Sequence, residues 1–166
     1  MLRSRTILTS FVCLLTLCGG IVFGADKDSL VGTWKLNLEK SKNDPPPNGP
    51  APQSVMRTFE DRGGGVFVAT TEATMAEGKK NLVIVTFKRD GKPYAIATNG
   101  GGQNITMMAF KKVDANHNEH TTTVNGKIVN TGTETVSADG KIYTEERKGT
   151  NGQGKPFHNV GVWERQ

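Results

Sequence analysis

Five Gly-Lys steps punctuate the chain, at Gly78-Lys79, Gly91-Lys92, Gly126-Lys127, Gly140-Lys141 and Gly154-Lys155. Each is flanked by runs rich in Val, Ile, Thr and aromatic residues. In Asp90-Gly91, Asn125-Gly126 and Asp139-Gly140 the glycine follows Asp or Asn, the residue types that best tolerate the positive φ of a tight turn between right-twisted strands. A chain broken this way has room for strands and little room for helices. The pattern predicts an all-β protein, an antiparallel up-and-down meander.

The strands follow from alternation between the turns. In Thr33 to Glu39, Trp34, Leu36 and Leu38 share one face and Lys35, Asn37 and Glu39 the other, the period of a half-buried strand. Further strands are expected at Val55 to Glu60, Val66 to Thr74, Leu82 to Lys88, Tyr94 to Thr98, Ile105 to Lys112, Glu119 to Val124, Lys127 to Val136, Ile142 to Lys148 and Pro156 to Arg165. Leu82 to Lys88 is the most continuously apolar run, which predicts the most buried strand. All seven prolines are expected in loops or at strand starts, where a missing N–H breaks no ladder. Five of them crowd into residues 44–52, read as a long, stiff loop within one domain, lying over one mouth of a barrel. Closing so many strands into a barrel removes both exposed edges. A two-sheet sandwich is the alternative, although its crossovers are usually longer than these hairpin-length connections.

The first 24 residues read as a signal peptide: Arg3 and Arg5 precede a nearly all-apolar stretch from Ile7 to Phe23. Cleavage is expected after Gly24, with Ala25 as the alternative. An uncleaved anchor and lipidation at Cys18 are the competing readings; Thr16 and Gly19-Gly20 interrupt the apolar run, and Leu17 is large for a lipoprotein site. Both cysteines, Cys13 and Cys18, lie inside this segment, so the mature chain has no disulfide framework and must stabilise itself by burying a core. Residues 25–166 are long enough to do so as one domain. An exported, disulfide-free protein fits a bacterial periplasm or secreted fraction, with no stable membrane span after cleavage. Without Arg3 and Arg5, the 21 basic residues fall to 19 against 16 acidic ones. A balance of +3 with scattered lysines argues against nucleic acid.

Leu30-Val31-Gly32-Thr33-Trp34-Lys35-Leu36, opening the first strand after the signal, resembles the Gly-x-Trp start of lipocalins and lipocalin-like (calycin-type) proteins. The long first loop, the meander and the terminal Val162-Trp163-Glu164-Arg165-Gln166 strand extend the resemblance. The mature chain is also similar to small exported bacterial proteins of uncharacterised function that share the Gly-Thr-Trp-Lys-Leu-Asn opening, a Lys-Ser before a proline loop, the Val136 to Lys141 turn and the Lys148 to Pro156 segment. The lipocalin resemblance implies that Trp34 closes one end of a barrel and that an arginine, Arg165 or Arg147, packs over its ring. Gly32, Trp34 and Arg165 are thus expected to be structural. The chain departs from typical lipocalins in lacking disulfides and an evident C-terminal helix, so no binding residue transfers from them.

Motifs that carry chemistry are sparse. His117 and His120 point to opposite faces of a strand and have no specified third ligand, so a solvated turn is the expectation and no metal site is assigned. Asp114 to Asn118 begins like a calcium loop but places Glu119 where the turn needs glycine. His158 stands alone as a haem ligand candidate, and Gly100-Gly101-Gly102 lacks the Lys-Ser or Lys-Thr of a phosphate loop. The mature chain has no cysteine and no Gly-x-Ser-x-Gly elbow, and Glu145-Glu146 alternate faces. These absences argue against the familiar nucleophilic and two-carboxylate enzymes, and no cofactor is assigned.

The better clue lies in polar residues that interrupt apolar faces. Arg57 shares a face with Val55 and Phe59, and Arg147 shares one with Tyr143 and Glu145. If those faces point inward, Arg57, Tyr143 and Arg147 are candidate ligand-binding residues, and buried cations there need carboxylate partners or an anionic ligand. An outward face or a structural ion pair is the alternative. The sequence therefore predicts a non-catalytic, extracytoplasmic lipocalin-like barrel that binds a small hydrophobic or amphipathic molecule. The alternative is a secreted or envelope protein-interaction module with a filled core; the oligomeric state is left open.

Overall fold

A computed structural model describes residues 27–46, 50–100 and 103–166. The segment expected to be a signal peptide, both cysteines and the tip of the proline loop lie outside the described residues. The described residues form eleven strands: β1 (Gly32–Leu36), β2 (Lys42–Asp44), β3 (Ser54–Asp61), β4 (Phe67–Thr74), β5 (Lys80–Phe87), β6 (Asp90–Thr98), β7 (Thr106–Lys112), β8 (His117–Val124), β9 (Lys127–Val136), β10 (Ile142–Thr150) and β11 (Pro156–Arg165). The one helical element among the described residues is a 3₁₀ turn at Ala76–Gly78.

From β3 to β11 each strand pairs antiparallel with the next, and β1 pairs with both β3 and β11. That last pairing closes ten strands into a barrel and rules out the two-sheet alternative. The architecture is the one implied by the lipocalin resemblance, with ten strands in place of the eight typical of lipocalins. β2 continues along the same edge of β11 beyond β1, with Asn43 opposite Asn159. The glycines of all five Gly-Lys steps have positive φ, between 69° and 79°. Their turns are held from within: Asp139 Oδ1 accepts from the Lys141 amide and Asn151 Oδ1 from the Lys155 amide.

Three details differ from the sequence reading. β5 is not the most buried strand: Val85 and Phe87 are buried, but Val83, on the same face, is 37 % exposed because it lies near an open mouth. Pro93 lies within β6, where the pairing with β7 shifts register between Asp90 and Pro93, so the irregularity accommodates the missing N–H. Leu38 does not continue the Trp34 face. β1 ends at Leu36, the Asn37 carbonyl accepts from the Ser41 hydroxyl, and Leu38 is left exposed.

Inward positions from β3, β4, β5 and β7 supply an aromatic layer near the Trp34 end. Phe87 stacks between Phe67 and Phe110 at centroid distances of 5.8 and 4.0 Å. Tyr143 lies among Trp34, Phe59 and Trp163 at 5.5, 5.8 and 6.0 Å. Such ring pairs add to area burial when tilted or offset, as most of these are. β8, β9 and β10 carry the buried polar residues Asn118, His120, Thr122, Glu134 and Glu145.

Candidate functional site

The closed end explains the opening motif. Trp34 is fully buried and donates its indole N–H to the Leu30 carbonyl at 2.9 Å. Arg165, opposite Trp34 in the β1–β11 register, lays its guanidinium 4.0 Å from the ring centroid, a cation–π contact. The same guanidinium donates to the carbonyls of Val31, Ser29 and Gly140. Gly32 adopts φ 144°, and a Cβ there would run into the Arg165 guanidinium. The glycine, the tryptophan and the arginine form one unit. Arg165, not Arg147, covers Trp34.

One level deeper the cluster is charged. Arg57 Nη1 lies 3.1 Å from Glu145 Oε2 and 3.0 Å from the Tyr143 hydroxyl, and Nε donates to Thr71 Oγ1 at 2.9 Å. Its guanidinium carbon sits 4.3 Å from the Trp163 ring centroid. Tyr143 donates to Glu134 Oε1 at 3.0 Å. Glu134 and Glu145 are directly opposite each other on β9 and β10, while His120 on β8 faces Gly132 on β9. Gly132 is needed there, since a Cβ would meet the His120 ring and the Glu146 carbonyl. His120 Nδ1 approaches Glu134 Oε1 at 4.0 Å, too far for a hydrogen bond.

Burial and charge push the two carboxyls apart. Glu134 is pushed up to about 7, first by burial and then by the Glu145 charge, with Arg57 opposing. Burial would also raise Glu145, but the Arg57 and Arg147 charges outweigh it and hold the group low. Burial lowers His120 to about 4, so its imidazole is neutral at physiological pH. Arg57 stays charged: burial disfavours its cation, and Glu145 and Tyr143 more than compensate. Several buried polar atoms have no hydrogen-bond partner among the described residues, including both His120 ring nitrogens, Glu134 Oε2 and Thr122 Oγ1. Burying such groups unpaired is costly.

The Arg57 and Arg147 faces both point inward, and the structure brings Arg57, Tyr143 and Glu145 together. Arg147 stands nearer solvent, its side chain 39 % exposed and its Nε 3.9 Å from Glu145 Oε1. His120 contradicts the solvated-turn expectation: it is buried, whereas His117 is exposed and bonded to Asp114. His158 points outward to Glu146. Glu145 and Glu146 do alternate faces; Glu145's carboxyl partner comes instead from β9. Glu134 was not singled out in the sequence, where its only signal was an acidic residue in phase with buried Val136.

A cavity of about 50 Å³ lies over this cluster. Phe59, Ala69, Val83, Val85, Ile96, Met108 and Phe110 wall it, and Arg57, Thr71, Glu134 and Glu145 supply its polar side. It is an apolar pocket with a charged floor. A separate surface recess joins Pro45 and Pro46 to Asn151, Gln153, Lys155 and Phe157, placing the described part of the proline loop beside the β10–β11 turn.

No protein-family model and no curated protein matches the chain. Two solved structures align with most of it. EF1p2_mFAP2b bound to DFHBI is 11 % identical with a TM-score of 0.44, covering 83 % of this chain and 94 % of that one. A redesigned β-barrel, mFAP1, bound to DFHBI, is 16 % identical with a TM-score of 0.36, covering 82 % and 95 %. At such scores the barrel rests on the strand pairing alone.

Proposed function

We propose that this protein is an exported, non-catalytic barrel that binds a small amphipathic molecule, its apolar end against the Val83, Ile96 and Met108 wall and its polar end toward Arg57 and Glu134. The observation that carries this reading is the cavity, apolar on its wall and charged on its floor, the division of labour common in small-molecule sites. Export rests on the N-terminal segment of the sequence. A binding role, not catalysis, is favoured because the buried cation is tied up: Arg57 is held by Glu145, Tyr143 and Thr71.

The enclosed volume, about 50 Å³, is far below the roughly 300–1,000 Å³ of pockets that enclose drug-sized ligands. The ligand is therefore small, or enters by one end only, with its remainder at the mouth. The same volume favours a second reading, a filled barrel that recognises another protein with its outer surface. Native mass spectrometry of protein purified from its own host separates the two: a binder carries a small co-purifying mass. Arg57→Leu, refolded and checked by circular dichroism, should then abolish retention of an anionic ligand. Absence of any bound small molecule in the native protein, together with unchanged stability on exposure to a panel of fatty acids and other amphiphiles, would sink the binder reading.

A further inference from the structure

His120, Glu134 and Glu145 converge from three neighbouring strands, and one ligating atom from each lies within 4.8 Å of the others. We propose that these three side chains hold a single borderline divalent cation, of the Zn²⁺ class, inside the barrel. The inference goes beyond the amphiphile reading and does not depend on it.

Three observations carry it. The first is supply of free donors. Among the described residues both ring nitrogens of His120 and Oε2 of Glu134 have no hydrogen-bond partner, although both residues are only 2 % exposed. A neutral imidazole with a free lone pair is the form that ligates a metal. The second is the outer ring of hydrogen bonds. Tyr143 donates to Oε1 of Glu134 and Arg57 donates to Oε2 of Glu145, so each carboxylate is anchored by one oxygen; among the described residues Oε2 of Glu134 has no hydrogen-bond partner, and Oε1 of Glu145 has only Arg147, at 3.9 Å. Metal sites orient their ligands in this way. The third is access: Glu134 and Glu145 both border the interior cavity, which provides a path and a fourth coordination position.

The donor set also selects the ion. One nitrogen and two carboxylates in a tight triangle suit a small cation bound at roughly 2.0–2.2 Å. Ca²⁺ asks for six to eight oxygens, and Mg²⁺ for octahedral oxygen ligation. Binding displaces the Glu134 proton to solvent, and the two carboxylates then neutralise the metal's charge. Arg57 already has Trp163 and Thr71 as further partners, and Arg147, partly solvated and 3.9 Å from Glu145, can withdraw toward water. Gly132 completes the arrangement by leaving room for the imidazole.

The test is a titration of chelator-stripped full-length protein with Co²⁺, followed by visible absorption and displacement with Zn²⁺. One equivalent should bind, with the intense bands of a four- or five-coordinate ion. His120→Gln and Glu134→Gln should each lower affinity by about 100-fold or more, since even outer partners are typically worth 10–100-fold. Tyr143→Phe should cost about tenfold, and His117→Ala and His158→Ala should change nothing. No binding, or binding that survives His120→Gln and disappears in either surface-histidine variant, overturns the proposal. Should the interior variants fail to fold, histidine NMR of the unmutated protein decides. Zn²⁺ must shift the His120 ring signals and leave those of His117 and His158 in place; the reverse overturns the site.

Discussion

Two arginines lie over two tryptophans in this barrel, and their surroundings differ. Arg165 covers Trp34 at 4.0 Å and gives its N–H groups to three backbone carbonyls. Arg57 covers Trp163 at 4.3 Å and gives its N–H groups to the side chains of Thr71, Tyr143 and Glu145. Backbone acceptors are fixed by the strands, so the closed end is a completed structural joint. Side-chain acceptors can exchange partners, and around Arg57 several polar atoms remain unpaired. The joint at Trp34 is held by the strands themselves; the polar cluster around Arg57 is where the proposed binding would take place.

The largest expected effect tests the closed end. Trp34→Ala removes a fully buried ring and should cost about 3–5 kcal/mol, read as a lowered urea midpoint at unchanged slope. A negligible shift would mean that the barrel is not pinned there. Next is Arg57→Leu, which strands Glu145 without its main partner and should cost about 3 kcal/mol. Adding Glu145→Leu should recover much of that loss, because an apolar pair can replace a buried ion pair at little cost. If the double variant is no better than the single, the interior pair is not the source of the effect. Gly32→Ala should cost about 1–3 kcal/mol, through a left-handed φ and displacement of Arg165. Tryptophan fluorescence of a Trp163→Phe background should report the lost contact over Trp34.

The same division explains what could be read from the chain. The closed end was legible because its residues carry local signals: Gly-x-Trp at the first strand, an arginine at the end of the last, and turn glycines whose φ sign follows from their neighbours. Alternation also grouped Arg57 with Phe59 and Tyr143 with Arg147 but left open whether those faces point inward; the structure turns them inward and pairs Arg57 with Glu145. The trio of His120, Glu134 and Glu145 was not legible, because each side chain is unremarkable in its own strand. Only the register of β8, β9 and β10 sets Glu134 against Glu145 and His120 beside Gly132, and the β8–β9 pairing shifts register between Thr122 and Thr123, an irregularity that alternation alone does not announce. The over-reading of β5 has a related cause. Hydrophobicity records which face a residue occupies but not how far along the barrel it sits, and Val83 lies toward the mouth.

A smaller effect, in acid, sharpens the comparison. Near the closed end Asp28 is paired with Arg89 and lies 3.4 Å from Lys112. Burial alone would raise its pKa, but the Arg89 hydrogen bond and charge, with the Leu30 amide, bring it below the ordinary 3.8. A depressed pKa in the fold means that this contribution is complete above about 3.8 and is lost as pH falls through the lower folded value. For a pair that keeps some solvent contact the contribution is about 1 kcal/mol. Asp28→Asn should therefore lower stability at pH 7 by about that much and flatten the fall in melting temperature below pH 3.8. Glu134→Gln, in the interior, should leave that acid limb intact, since Glu134 is held protonated up to about 7 and keeps its proton throughout that range. An acid limb unchanged by Asp28→Asn but removed by Glu134→Gln would reverse the assignment of the two regions.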